Sequence, residues 1–539
     1  MRDPVKDTFP TLTASQASRI AKVGRARDVA IGEVLVSPDL PRSSFFLVER
    51  GTLEIGQGLV SLGPGQFTGE LSTVTGRRGL VEIRATAPGR VIEVDSQALR
   101  ALVDTDSELG EILLRAFILR RANLIELGAG DAILVGSSRD HGTLQAMEFL
   151  TRNGYPYRHV DLDAEPEIHR VLEGFHVDAG DIPVLVAHGQ VLRRPRNAQI
   201  AELLGLNRPL DEGRVHDLVV VGAGPAGLAA AVYAGSEGLT TLVLEQVVPG
   251  GQAGSSSKIE NYLGFPNGIS GGELTARAHV QAEKFGVQVR VADGAVRLRC
   301  DEQPYAIALD DGRIVRTRAV VIATGAAYRK LAIHDLARFE NVGVYYGATH
   351  LESQRCRDQD VIVVGGGNSA GQAAVFLAQT ARHVDLLVRA SGLAASMSQY
   401  LIRRIEQSPN ITLHTRCEIV ALEGGDTLTG VRWRDGRGGV ETREIRHVFS
   451  MTGAVPATRW LEGCLALDDH GFVRTGPDLR REDLAAYRWP LARPPHLLET
   501  SIPRVFAVGD ARAGSVKRVA TAVGEGASVI ALVHRVLAE

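Results

Sequence analysis

The sequence has little cysteine: four residues in 539, Cys300, Cys356, Cys417 and Cys464, and no two of them form a C-x-x-C pair. Spacing that wide excludes a zinc ribbon or a local redox dithiol, and it fits unpaired thiols in a reducing cytosol rather than a disulfide framework. Net charge is also low. Sixty basic and 63 acidic residues leave −3, which gives nucleic acid or an anionic membrane no electrostatic handle. The opening Met1-Arg2-Asp3-Pro4-Val5-Lys6-Asp7 lacks the apolar core of an export signal, so a cytoplasmic protein is expected. Residues 218–234 are apolar enough to suggest a membrane span. A glycine turn and Pro225 interrupt them, which favours a buried strand followed by a buried helix.

What the chain does have is glycine placed to a pattern. His216-Asp217-Leu218-Val219-Val220-Val221 reads as a strand. It enters Gly222-Ala223-Gly224-Pro225-Ala226-Gly227, then an Ala-rich helix, then Leu242-Val243-Leu244-Glu245. In such a unit the first glycine allows the tight turn, the second lets a pyrophosphate approach the backbone, and the third lets helix and strand pack. Free N–H groups at the helix start face the phosphates, and an acid about 20 residues on, here Glu245, accepts from ribose hydroxyls. A second unit follows: Asp360-Val361-Ile362-Val363-Val364 enters Gly365-Gly366-Gly367-Asn368-Ser369-Ala370, and Val384-Asp385-Leu386-Leu387-Val388 closes it. Arg389 ends that second strand. NAD calls for an acid there and NADP for a base against the 2′-phosphate, so NADPH is expected, with NADH as the alternative. Arg403 and Arg404 add charge nearby or form a solvated helix face.

The first 127 residues read as short β-rich runs (Val29–Val36, Phe45–Val48, Leu53–Ile55, Val91–Val94) ahead of a helical pattern at Leu109, Ile112, Leu113, Ala116 and Phe117. Their turns, Gly32-Glu33-Val34-Leu35, Gly51 and Gly63-Pro64-Gly65-Gln66-Phe67 leading into Gly69-Glu70-Leu71, resemble the cyclic-nucleotide-binding domain. That resemblance implies a cyclic nucleotide or another effector at Gly69-Glu70. Gly79 stands where the family's phosphate-binding Arg is expected, with Arg77 and Arg78 nearest. From Ala132 to Leu204 the order of strands and helices looks like a glutaredoxin or thioredoxin fold, with Ile182-Pro183 at that family's cis-proline. The two cysteine positions fall near Asp140 and Thr143, with His141 between. Only a thiolate performs thiol–disulfide exchange, so this region reads as an adaptor without redox activity.

From about residue 214 onward the chain resembles the low-molecular-weight thioredoxin reductases. Gly250-Gly251-Gln252 followed by Ile259-Glu260-Asn261-Tyr262 and Gly264-Phe265-Pro266 matches the FAD-wrapping segment of that family, and Ile322-Ala323-Thr324-Gly325-Ala326 its returning strand. Near the end, Gly509-Asp510 matches the acid on the ribityl chain, and Lys517-Arg518-Val519-Ala520 the helix start facing the flavin pyrimidine. The resemblance implies FAD, a nicotinamide-cofactor domain inserted into the FAD domain, and a homodimer. The dithiol is the departure. Val344-Tyr345-Tyr346-Gly347-Ala348-Thr349-His350 puts Gly347 and His350 at the cysteine positions, and His350 becomes the one candidate catalytic residue, as a proton donor. No metal site is expected.

The expected architecture is therefore multidomain, α/β and α+β. It comprises a cyclic-nucleotide-binding-like β-roll (1–127), a thioredoxin-fold domain without redox cysteines (128–211), an FAD domain in two parts (212–330 and 454–539) and a nicotinamide-cofactor domain (331–453). The expected activity passes electrons from NADPH through FAD to an acceptor protein or small oxidant: a ferredoxin, flavodoxin or quinone. A nucleotide-responsive redox sensor and a reductase whose disulfide substrate meets the flavin directly are the alternatives.

Overall fold

Capping and strand chemistry set the N-terminal elements in the computed structural model, which describes residues 8–37, 44–69 except 57 and 59, 81–126, 132–164 except 139, and 179–539 except 257, 341, 349 and 426. Thr13 opens α1 (Ala14–Ala21) with a capping box: its Oγ1 accepts from the Gln16 N–H while the Gln16 side chain accepts from its own N–H. The β-rich runs become β1 (Arg25–Val29), β2 (Val34–Val36), β3 (Phe45–Ile55), β4 (Val60–Leu62), β5 (Phe67–Thr68) and β6 (Ile83–Val94). The expected single run Val29–Val36 is thus a strand end, a turn and a second strand. The sheet runs β1-β6-β3-β4, with β2 on β6 and β5 on β3, all antiparallel.

Phe45, Leu47, Phe67 and Ile92 pack with Leu99 of α2 (Ser96–Thr105) and with Leu109 and Leu113 of α3 (Ser107–Glu126). Arg120 of α3 is buried between the rings of Phe9 and Phe67, at 4.7 and 4.8 Å, and donates to the Thr8 and Phe67 carbonyls. Two of the guanidinium nitrogens are thereby hydrogen-bonded, and the cation lies within reach of both aromatic rings. Glu70, Arg77, Arg78 and Gly79 lie outside the described residues.

The next stretch forms β7 (Ala132–Gly136), α4 (His141–Arg152), β8 (Tyr157–Asp161), β9 (Val184–Ala187), β10 (Gln190–Arg193) and α5 (Asn197–Leu203). The sheet order is β10-β9-β7-β8, with β7 and β8 parallel and the other pairs antiparallel. By its internal contacts this region belongs to a first unit of residues 1–211, 246–248 and 279–293, and residues 212–245, 249–278 and 294–539 form a second.

In the second unit β11 (Val215–Val221) lies parallel to β12 (Thr241–Leu244) and to β15 (Ile314–Ile322), with α6 (Pro225–Ser236) between β11 and β12 in sequence. The antiparallel strands β13 (Ala295–Arg299) and β14 (Tyr305–Leu309) extend that sheet from β15, whose C-terminal half also carries β26 (Val505–Ala507). Residues 218–234 are therefore a buried strand and helix, as the glycine turn implies. The C-terminal helix α11 (Val519–Ala538) is long and apolar enough by composition to cross a membrane. Its buried residues, Ala522, Gly526, Val529, Ile530, Val533 and Val536, form one helical face, and at Gly526 that face abuts the Ala226 carbonyl of α6. This is the amphipathic pattern of a helix laid on a core.

Two short strands, β16 (Ala326–Tyr328) and β25 (Ala454–Pro456), pair where the chain leaves and re-enters the FAD-type fold. Between them β17 (Val344–Tyr345), β18 (Asp360–Val364), β19 (His383–Val388), β20 (Ile411–Thr415) and β24 (His447–Ser450) build a parallel sheet in the order β17-β24-β18-β19-β20. A separate antiparallel sheet, β21 (Glu418–Gly424), β22 (Leu428–Arg434) and β23 (Val440–Arg443), accompanies it. The fully buried Asp385 of β19 ties the two sheets together: it accepts from His414 at 2.7 Å and from Arg443 of β23 at 3.1 Å.

The cysteine expectation needs correcting. Cys300 and Cys464 form a disulfide with Cα atoms 5.8 Å apart, 164 residues apart in sequence, whereas Cys356 and Cys417 are free and buried. Spacing along the chain reveals only local pairs, and this pair is made by tertiary folding.

Candidate functional site

The first glycine turn leaves β11 and opens α6. Gly222 has φ of +105°, and a Cβ there would strike the Ala323 carbonyl and lie 3.0 Å from the Thr324 Cα, so only glycine lets β11 and the end of β15 meet. Gly224 is the N-cap and has no side-chain cap; Pro225 and Ala226 follow at the helix start. A Cβ on Gly224 would meet only the Gly251 Cα, at 3.9 Å, so the uncapped N–H groups look onto open space. Gly227 packs onto the Gly222 carbonyl, which brings helix against strand. Glu245, just beyond β12, accepts from the Ala223 N–H at 2.7 Å and so stands at the turn itself.

Around this turn the structure collects residues distant in sequence. Gly251 and Gln252 start α7 (Gly251–Gly254), and the Gln252 amide donates to the Ala326 carbonyl. Asn261 is exposed. Thr324, before Gly325, has a buried Oγ1 with no partner among the described residues. The Gly509 N–H donates to Glu525 at 2.7 Å, and Arg512 braces the same carboxylate at 2.6 Å. Burial pushes the Asp510 carboxyl upward, against the opposing pull of Lys517. Lys517 donates to the Asp510 carbonyl at 3.0 Å and lies 4.4 Å from the Phe472 ring centroid. Arg518 is the N-cap of α11, again without a side-chain cap, and Val519 and Ala520 form its first turn. Two uncapped helix starts, an orphaned buried hydroxyl and an open glycine cradle fit an anionic dinucleotide.

The second turn repeats the first. Gly365 has φ of +142°, and a Cβ there would strike the Met451 carbonyl. Gly367 caps α9 (Asn368–Leu377) without a side-chain bond. Ser396 donates to the Gly366 carbonyl and Asn368 accepts from the Ser398 N–H, each at 2.8 Å, so the loop after β19 folds over the turn. Ser369 hydrogen-bonds Tyr328, whose phenol is pushed up by burial; Ala370 is fully buried. Arg389 is exposed just past β19 and makes no ion pair among the described residues. Arg403 is exposed, whereas Arg404 of α10 (Gln399–Gln407) is engaged by Glu260 at 2.6 Å.

The segment between the turns lies against the FAD-wrapping stretch. Ser256 and Ala348 form a bridge, and a Cβ on Gly347 would stand 3.2 Å from that of Ser255. His350 opens α8 (His350–Arg355); its side chain lies outside the described residues. Cys356, at the end of that helix, is fully buried and its thiol is pushed up to about 11 by burial, which removes it as a nucleophile.

The features that sequence reading missed here are Glu525, Arg512, the bond between Glu260 and Arg404, and the orphaned state of the Thr324 hydroxyl. Glu525 falls eight residues beyond Lys517 on a helix face, and nothing local marks its bond to Gly509.

Residues 216–526 match the pyridine nucleotide-disulphide oxidoreductase family, and residues 26–106 the cyclic nucleotide-binding domain. A thioredoxin reductase of Mycolicibacterium smegmatis is 35% identical over 327 residues, 60% of this chain and 97% of that one. A thioredoxin reductase of Streptomyces clavuligerus is 31% identical over 60% of this chain and 94% of its own. The crystal structure of Lactococcus lactis thioredoxin reductase (FR conformation) matches 60% of this chain and 99% of its own, with TM-score 0.53 and 28% identity. The chain therefore belongs to the pyridine nucleotide-disulphide oxidoreductase family, as a thioredoxin reductase-like oxidoreductase preceded by a cyclic nucleotide-binding domain.

Proposed function

We propose that the chain is an FAD-dependent NADPH oxidoreductase that passes electrons directly to an external acceptor, without a dithiol beside the flavin. The observation that carries this reading is the segment from Val344 to His350. Gly347 of that segment packs on Ser255, the segment contains no sulfur, and Gly347 and His350 stand at the positions where the resemblance implies the two cysteines. FAD, when bound, supplies hydride acceptance from the nicotinamide and electron release to the acceptor.

The protein's part is binding and electrostatics. The α6 N–H groups and the Thr324 hydroxyl hold the pyrophosphate region, and Glu245 takes the adenosine ribose. Asp510 takes the ribityl hydroxyls, and the positive start of α11, with Lys517 and Arg518 near it, favours negative charge on the pyrimidine ring. Arg389, with no ion-pair partner among the described residues, holds the 2′-phosphate of NADPH. His350 supplies a proton as electrons leave. The acceptor is a ferredoxin, a flavodoxin, a quinone or another small oxidant, and the protein works as a cytoplasmic homodimer.

The 128–211 region is read as a thioredoxin-fold adaptor. At its two cysteine positions the Asp140 carboxylate accepts from both the N–H and the Oγ1 of Thr143, at 2.7 and 2.9 Å, so a helix cap stands where a dithiol would. The cyclic nucleotide-binding domain favours an effector, and any effector must bind two states of the protein unequally to change turnover. Steady-state NADPH oxidation with quinone, ferricyanide, flavodoxin, a small disulfide and thioredoxin tests the proposal. Turnover with the first group and none with thioredoxin supports it. Thioredoxin-dependent turnover overturns it, and one flavin reduction followed by a stall with every acceptor assigns a sensor instead.

A further inference from the structure

Cys300 and Cys464 differ from the two free cysteines in place and access. Cys300 directly follows β13, an edge strand whose neighbour is β14, and it is half-buried, whereas Cys464 is 4% exposed. Cys464 follows the short turn Arg459–Leu461, which packs on β13, and its N–H donates to the Leu461 carbonyl at 3.0 Å. Leu298 on one side and Leu461 and Leu465 on the other are buried beside the pair in sequence.

The site is separate from the nucleotide turns. Arg299 pairs with Ala306, Ala306 with Arg316, and Arg316 with Val215 at the start of β11. The seven steps from Val215 to Gly222 span about 23 Å along a strand, so the pair lies towards the opposite end of the sheet from the glycine turn. The pair also has a topological consequence. Cys300 precedes β16 and Cys464 follows β25, so the cross-link closes a loop containing the entire nicotinamide-type fold. The two strands through which the chain enters and leaves that fold are then tied to one anchored base.

We propose that Cys300 and Cys464 form a reversible thiol–disulfide exchange site, distinct from the flavin site, in which Cys300 is the sulfur that exchanges with the small molecule and a low-molecular-weight disulfide is the oxidant. The Cys300 thiolate attacks a sulfur of the small disulfide, forming a mixed disulfide and releasing one thiolate. The Cys464 thiolate then attacks the Cys300 sulfur, closing the internal disulfide and releasing the second thiolate. Two electrons pass from the protein to the small disulfide, and the two protons lost by the cysteines go to the released thiolates. Excess small thiol drives the same steps backwards. Cys356, buried and with its thiol pushed up, takes no part.

The test uses the full chain equilibrated with oxidised or reduced glutathione, then denatured, alkylated and mapped by peptide mass. Oxidation should give a Cys300–Cys464 cross-linked peptide with Cys356 and Cys417 alkylated, and reduction should free all four thiols without unfolding the protein. The single variants set the order of attack. Cys464→Ser should trap glutathione on Cys300, roughly tenfold or more above the adduct on Cys464 in Cys300→Ser, because a buried sulfur is reached only through local opening. Tryptophan fluorescence should show the oxidised form unfolding about 5 °C above the reduced form, the typical worth of a native cross-link. Four free thiols after oxidation, a pair that resists reduction in the folded protein, or preferential trapping at Cys464 would each overturn the proposal. The wild-type maps decide even if a serine variant fails to fold.

Discussion

The two glycine turns of this chain are built alike and finished differently. In each, the first glycine has positive φ and its missing Cβ makes room for a carbonyl on the returning strand: Ala323 for Gly222, Met451 for Gly365. In each, a glycine N-cap leaves the helix start uncapped, and an x-Thr-Gly step follows, Ala323-Thr324-Gly325 in one and Met451-Thr452-Gly453 in the other. Yet Thr452 Oγ1 donates to the Arg329 carbonyl at 2.9 Å while Thr324 Oγ1 has no partner among the described residues. The residue just after the second strand is Glu245 beside the first turn and Arg389 beside the second. One backbone device is thus used twice, and the residue after the second strand and the state of the returning threonine distinguish the two turns.

The largest effect expected from breaking this comparison is at Gly224. Gly224→Val fills the open side of the first turn, and the purified variant should be colourless, with complete loss of the flavin absorbance, while its far-ultraviolet circular dichroism keeps the native shape. Next is Arg389→Ala. Losing a charge-assisted contact costs about 1.5–3 kcal/mol, so the KM for NADPH should rise ten- to a hundredfold with that for NADH unchanged; equal rises would remove Arg389 from the 2′-phosphate. Thr324→Val keeps the shape and deletes the orphaned hydroxyl. It should weaken flavin affinity by about 1 kcal/mol, roughly fivefold, whereas Thr452→Val should leave flavin affinity untouched.

The smallest effect is a pH dependence at Asp510. Burial raises its carboxyl above the ordinary value, so the folded apo-protein holds that proton more tightly than the unfolded chain. Stability should therefore fall as pH rises through the carboxyl range from the unfolded value upward, and level off above the folded one. Asp510→Asn should stabilise the apo-protein at neutral pH, by a margin that shrinks as the solution is acidified. Urea titrations of both apo-proteins at pH 4 and pH 7 check this: a difference that stays constant shows no shift, and one that turns against the variant at pH 7 shows the opposite sign.

What was legible in the sequence was local. Strand, glycine turn, helix and closing residue lie within one stretch, so both nucleotide units could be read with their boundaries nearly right. The bonds that finish the site are not local. Glu525 reaches Gly509 from a helix face and Arg404 reaches Glu260 across 144 residues. Cys300 reaches Cys464 across 164. No spacing rule exposes such pairs, because they depend on which elements the sheet order makes neighbours. The absence of cysteine at Asp140 and Thr143 was visible in the sequence, but the helix cap those two residues make was visible only as geometry.

The central claim, that electrons leave the flavin without a dithiol relay, is tested most directly by anaerobic titration with NADPH. The Cys300→Ser variant removes the remote disulfide as a second electron sink. The account predicts full bleaching of the flavin at one NADPH per FAD, with no further uptake. Two NADPH per FAD, with new thiols appearing as the second is consumed, would contradict it.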